Sequence, residues 1–103
     1  MNLDKLILFG SYPTISKQLD KIAIDNELMI KEYHKSEMKF LIHTDILVKG
    51  MTRYEQTLGY SRGGVVVLFE MLPEDFVRHF LAKNWIISPC FKTACEIMNL
   101  NYA

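Results

Sequence analysis

Residues Gly63 to Leu81 constrain the fold more than any other stretch. Gly63-Gly64 leads into Val65-Val66-Val67-Leu68-Phe69, and Pro73-Glu74-Asp75-Phe76 runs on to Phe80-Leu81. The apolar run has no polar position, so it reads as a strand covered on both faces. Pro73 suits the first turn of a helix, where Glu74 and Asp75 face the positive end of the macrodipole. Phe76, Val77, Phe80 and Leu81 then form a buried stripe at helical spacing. Glu74 with Arg78, and Asp75 with His79, are four-apart pairs on the solvent side. A central strand feeding a helix is the unit the remaining chain has to cover.

A second apolar run, Leu6-Ile7-Leu8-Phe9, predicts another buried strand, closed by Gly10-Ser11. Pro13 follows, and Ile15, Leu19, Ile22 and Ala23 predict a helix over about 14–24. Leu28 to His34 reads as a strand, with Lys35-Ser36-Glu37 as a hairpin turn. Met38, Phe40, Ile42, Ile46 and Val48 share one parity, which predicts one long strand bent at Thr44-Asp45 and ended by Gly50. Residues 52–60 fit two readings. Thr52 and Glu55 have capping-box spacing, while Tyr54, Gln56, Leu58 and Tyr60 alternate as a strand turning at Ser61-Arg62-Gly63-Gly64. Trp85-Ile86-Ile87 is an apolar connector or edge strand. Ser88-Pro89 predicts an N-cap and first turn, and Phe91, Ala94, Cys95 and Met98 a last amphipathic helix.

At 103 residues, half of them hydrophobic, the chain reads as one domain over 1–103. The predicted fold class is α+β, a mainly antiparallel sheet of about 4–5 strands with about three helices packed on one face. The formal net charge is zero, so nucleic acid and anionic membrane are not the expected partners. No apolar run approaches the ~20 residues that span a bilayer. Asp4, near the N-terminus, and the lack of a basic flank argue against a secretory signal. A cytoplasmic location follows, with Cys90 and Cys95 as reduced thiols. Lysine, isoleucine, asparagine and tyrosine are plentiful and alanine is scarce. That bias fits AT-rich coding sequence, as in a phage, a mobile element or an AT-rich bacterium.

Five kinds of chemistry can be weighed. Leu8-Phe9-Gly10-Ser11-Tyr12 resembles the strand-ending glycine-serine turn of minimal nucleotidyltransferases, which holds nucleotide phosphates. That family also clamps two metal ions with carboxylates one residue apart on a strand. Asp20, Asp25 and Asp45 do not form such a pair, so the transfer activity does not carry over; Gly10-Ser11 reads first as a strand-to-helix turn, with anion binding at that helix N-terminus as the alternative. Cys90 falls in a helix first turn, where the dipole lowers a thiol pKa. Catalysis would also need a base from His34, His43 or His79. These histidines and cysteines lack zinc-ligand spacing, so no metal or other cofactor is expected. The two C-terminal helices resemble a helix-turn-helix in outline. The second exposes only Lys92, Thr93 and Glu96, leaving the scattered Lys39, Lys49, Arg53 and Arg62 to touch phosphates.

Protein contact is the expected function. Tyr54, Tyr60, Arg62 and Arg53 surround the 61–64 turn, and tyrosine and arginine are favoured contact anchors. Tyr33, Trp85 and Tyr102 would add aromatic surface. The chain therefore reads as a non-enzymatic module that regulates or inhibits a partner protein, as a viral accessory protein would. Homodimerisation by edge-strand pairing is a related expectation. The alternatives are a small nucleic-acid-binding regulator and a small nucleotide- or anion-binding enzyme using the Gly10-Ser11 turn.

Overall fold

The two runs without a polar position become neighbours at the centre of a sheet. In the computed structural model, strands β1 (Lys5–Phe9) and β5 (Val65–Leu68) pair in parallel, Leu6 opposite Val65 and Phe9 opposite Leu68. The structure describes residues 4–42, 45–53, 64–70, 74–83, 85–88 and 90–102, without the side chains of 76, 79 and 80. Helix α1 (Tyr12–Asp25) follows β1. A short 3-10 turn at Glu27–Met29 leads to β2 (Ile30–His34), and another at Lys35–Glu37 to β3 (Lys39–Ile42). After β4 (Leu47–Met51) and β5 come α2 (Glu74–Ala82), β6 (Ile86–Ser88) and α3 (Phe91–Met98).

Among the described residues the sheet is mixed and has six strands in the order β2-β3-β4-β1-β5-β6. This corrects the expected mainly antiparallel sheet of four or five. Four adjacent strands, β4, β1, β5 and β6, are mutually parallel. Only β2–β3 and β3–β4 pair antiparallel. The physical reason lies in the connections: the chain leaves β1 through α1 and reaches β6 from β5 through α2, and such crossovers join parallel strands where tight hairpins would join antiparallel ones.

The second correction concerns the helices. Leu6, Leu8, Val48, Val65 and Val67 pack with Ile15, Leu19 and Ile22 of α1 and with Phe91, Ala94, Cys95 and Met98 of α3 on one face. Ile7, Phe9, Met51, Val66 and Trp85 form a separate core on the other. Crossovers between parallel neighbours are right-handed, and that sense carries α2, between β5 and β6, over the face opposite α1. The core is therefore split by the sheet rather than gathered on one side.

Local expectations fare unevenly, each for a stated cause. Helix α1 buries the four residues its periodicity named, Ile15, Leu19, Ile22 and Ala23. The single long strand expected over 38–48 is a hairpin instead. The Asp45 N–H donates to the Ile42 carbonyl (2.8 Å), the Ile42 N–H donates to that of Ile46 (3.1 Å), and Asp45 takes a left-handed φ of 61°. Phe40 lies opposite Val48 across this hairpin, so a reversal preserves the parity that suggested one strand. Leu81, expected in the stripe of α2, is 58% exposed. Ser88 does not cap α3. It is buried in β6, and its hydroxyl donates to the Cys90 carbonyl at 2.8 Å. Cys90 is the N-cap, and its sulfur accepts from the Thr93 N–H.

Candidate functional site

A parallel sheet has one edge where ligands collect. They settle beyond the carboxyl ends of the strands, at the point where successive connections leave in opposite directions. Here that point is β1. Its outgoing chain crosses through α1 toward β2, on one side of the sheet, while β5 and its crossover to β6 lie on the other. The first residues beyond β1 are Gly10 and Ser11.

Gly10 is buried, and its N–H donates to the Met51 carbonyl at 3.2 Å. A Cβ placed there would lie 3.0 Å from the Phe69 Cβ and 3.4 Å from the Ile15 Cδ1. The residue is a glycine because β1 ends pressed between β5 and α1, not because of a left-handed turn; its φ is not positive. Across the other neighbour, the Phe69 N–H donates to the Phe9 carbonyl at 2.8 Å. Three strand ends are thus locked level with one another.

Ser11 then caps the longest helix without using its side chain. No side chain hydrogen-bonds the first turn, and no acid stands in it. The Ser11 hydroxyl donates instead to the Thr14 hydroxyl at 3.1 Å, with both side chains part-buried. A helix start without a capping acceptor leaves N–H groups and the positive end of the dipole directed at the edge. Phe9 pairs with Met51, so Ser11 and Arg53 each follow two residues beyond a matched pair. Arg53 is exposed. The C-terminal edge therefore carries the hydroxyls of Ser11 and Thr14 and the backbone donors of the helix start.

The expected contact site fares differently. Tyr54, Tyr60 and Arg62 lie outside the described residues, as do the 61–63 turn and His43. Of that set only Arg53 is described, and it falls at the β1 edge. Tyr33 and Tyr102 are about two-fifths exposed, whereas Trp85 is buried in the second core. A surface that was not anticipated lies at the other end of α1. Ile24 is 72% and Leu28 95% exposed, and Ile24, Ile30 and Tyr33 line a cleft of about 430 Å³ with Asp20 and Lys35. Ile24 lies on the side of α1 turned away from Ile15, Leu19 and Ile22, so helical register itself leaves it uncovered.

The thiols differ in kind. Cys90 is exposed and Cys95 buried, and both are free. Hydrogen bonds from the Thr93 hydroxyl and N–H hold Cys90 below the usual thiol pKa, while burial pushes Cys95 up to about 11. Alkylation at neutral pH is expected to label Cys90 alone, with Cys95 reacting only in denaturant; equal labelling of both in the native chain would contradict this geometry. Cys95 also adds a pH dependence to stability. Its folded pKa lies above the ordinary 9.0, so its contribution is full below pH 9 and is lost between pH 9 and about 11.

Among the described residues no three His, Cys, Asp or Glu side chains gather as metal ligands, and no helix is long and apolar enough to cross a membrane. No protein family, curated protein or solved structure matches the chain. Function has to be argued from the geometry above.

Proposed function

We propose that the chain binds a phosphate-bearing ligand at the C-terminal edge of β1. One observation carries this reading: the parallel strands β4, β1 and β5 end level with one another, and β1 opens directly through Gly10-Ser11 into a 14-residue helix lacking acids in its first turn. Helix starts in this position favour anions through N–H groups and dipole together. The reading is one of binding. Inorganic phosphate, a nucleoside triphosphate and a single-stranded oligonucleotide share the recognised group and are the probes that separate its sources.

Thr14→Glu tests it. Ser11 and Thr14 have capping-box spacing, so a glutamate there would reach back to the helix start and stabilise it by about 0.5–1 kcal/mol. The same carboxylate would occupy and repel the anion site. The variant is expected to melt at or above the temperature of the unaltered protein and to lose the ligand-induced rise in Tm that the unaltered protein shows with at least one probe. No rise with any of the three probes would sink the proposal. A steep salt dependence with the oligonucleotide alone would assign the site to a polynucleotide backbone.

A second reading, contact with another protein, is favoured by the exposed Ile24, Leu28 and Tyr33 beside edge strand β2. Exposed apolar groups clustered along an unpaired strand support it. Regulation or inhibition of a partner through this surface remains part of that proposal.

A further inference from the structure

The edge strand β2 pairs with its own copy. We propose that two chains associate antiparallel through β2 about a two-fold axis at Tyr33, joining their sheets. The inference is independent of the phosphate site and rests on the second reading, that this edge is a contact surface.

Strand β2 ends the sheet, and Lys31 to His34 are all exposed. Its outer backbone groups therefore face solvent as a template for another strand. A two-fold axis normal to a sheet pairs residues of equal parity, so a self-pairing must centre on one residue. Three centres lie within β2: Lys31, Glu32 and Tyr33.

Two observations select among them. The ladder between β2 and β3 is irregular between Ile30 and Glu32 and regular from Glu32 to His34, opposite Leu41 and Lys39. A regular pairing is confined to those three residues, and its midpoint is Tyr33. Charge leads to the same register. A centre at Lys31 sets lysine against lysine, and a centre at Glu32 sets glutamate against glutamate; like charges directly opposite are unfavourable. A centre at Tyr33 sets tyrosine against tyrosine and each Glu32 against the partner's His34. His34 already accommodates carboxylates, with Glu32 at 3.5 Å and Glu37 at 3.8 Å in its own chain.

The flanks fit the same arrangement. Tyr33 stacks on Phe40 at 5.7 Å and donates from its hydroxyl to Asp20 of α1 at 3.2 Å. Its ring therefore stands on the α1 face, beside Ile24 and the cleft. A two-fold axis at Tyr33 brings both copies of this apolar strip to one side of the joined sheet. There the exposed Ile24 and Leu28 lose water contact.

The test combines sedimentation with variants that each add one cysteine to Cys90→Ser, where the buried Cys95 is the other thiol. Lys31→Cys, Glu32→Cys and Tyr33→Cys each report one register through a symmetric disulfide. The dimer is expected to sediment in the unaltered chain, and the Tyr33→Cys disulfide to form about tenfold faster than either of the others. His34→Glu, at an exposed position, is expected to shift the chain toward monomer. Adding Glu32→His to it should restore the dimer. A monomer at every concentration overturns self-pairing and leaves the edge to a different protein. A dimer that cross-links equally at all three positions, or ignores His34→Glu, overturns this register while keeping the contact reading.

Discussion

Asn26→Ala is expected to lower the unfolding free energy by about 1–3 kcal/mol, through the loss of one buried and two part-buried hydrogen bonds. Asn26 is one of two buried polar residues identified in the core, 2% exposed at the end of α1. Its amide donates to the Ile22 carbonyl at 2.9 Å and to the Asn101 carbonyl at 3.0 Å. Its carbonyl accepts the Asn101 N–H at 2.9 Å. One side chain thus closes the end of a helix and ties down a segment 75 residues away. The tail so fixed carries Leu100, buried with the α1–α3 core, and Tyr102, whose ring lies 5.6 Å from Phe91 and under the Lys21 ammonium at 3.9 Å. Alanine removes all three bonds, the buried one to Ile22 and the two part-buried ones that hold Asn101. Urea denaturation should show the loss, and hydrogen exchange should show faster exchange at 100–102 than elsewhere. A change below about 0.5 kcal/mol, the level of ordinary surface substitutions, would mean that the clamp is not a structural element.

Gly50→Ala is the second large effect, with an expected loss of about 1–3 kcal/mol from overpacking. Gly50 is buried in β4, directly beneath α1. A Cβ there would overlap the Ile15 Cγ2 and come within 2.9 Å of the Leu19 Cδ1. Both side chains are themselves fully or almost fully buried, so neither can swing into solvent. The helix would have to rise from the sheet. The Gly50 N–H also donates to the Met38 carbonyl at 2.8 Å, which resists movement of the strand instead. Thermal unfolding is the measurement, at roughly 4–8 °C per kcal/mol for a chain of this size. An unchanged Tm would show that α1 is not seated as closely as these contacts require. Since α1 carries the proposed anion site, the substitution should also weaken phosphate binding if the site depends on where that helix begins.

These two residues mark where the sequence could be read and where it could not. Both fall at boundaries of the expected elements, Asn26 between the helix over about 14–24 and the strand from Leu28, and Gly50 at a strand end. Their local signatures are genuine, since asparagine and glycine do end elements. Their partners are 75 residues away in one case and on another element in the other, and no local pattern encodes that. The Gly10-Ser11 edge was visible as a strand-ending turn before a helix. Its standing as a switch point was not, because that depends on which strands flank β1.

Periodicity and apolar runs were sufficient for the buried stripes of α1 and α3 and for two strands covered on both faces. These are local properties: each follows from burying one side, or both sides, of a segment with a fixed repeat. The strand order, the parallel pairing of β4, β1, β5 and β6, the division of the core between two faces and the exposed edge at β2 were decided only by tertiary structure. The reason is geometric. An apolar strand gains the same burial beside a parallel or an antiparallel neighbour, and the choice is made by the directions in which the connections cross the sheet.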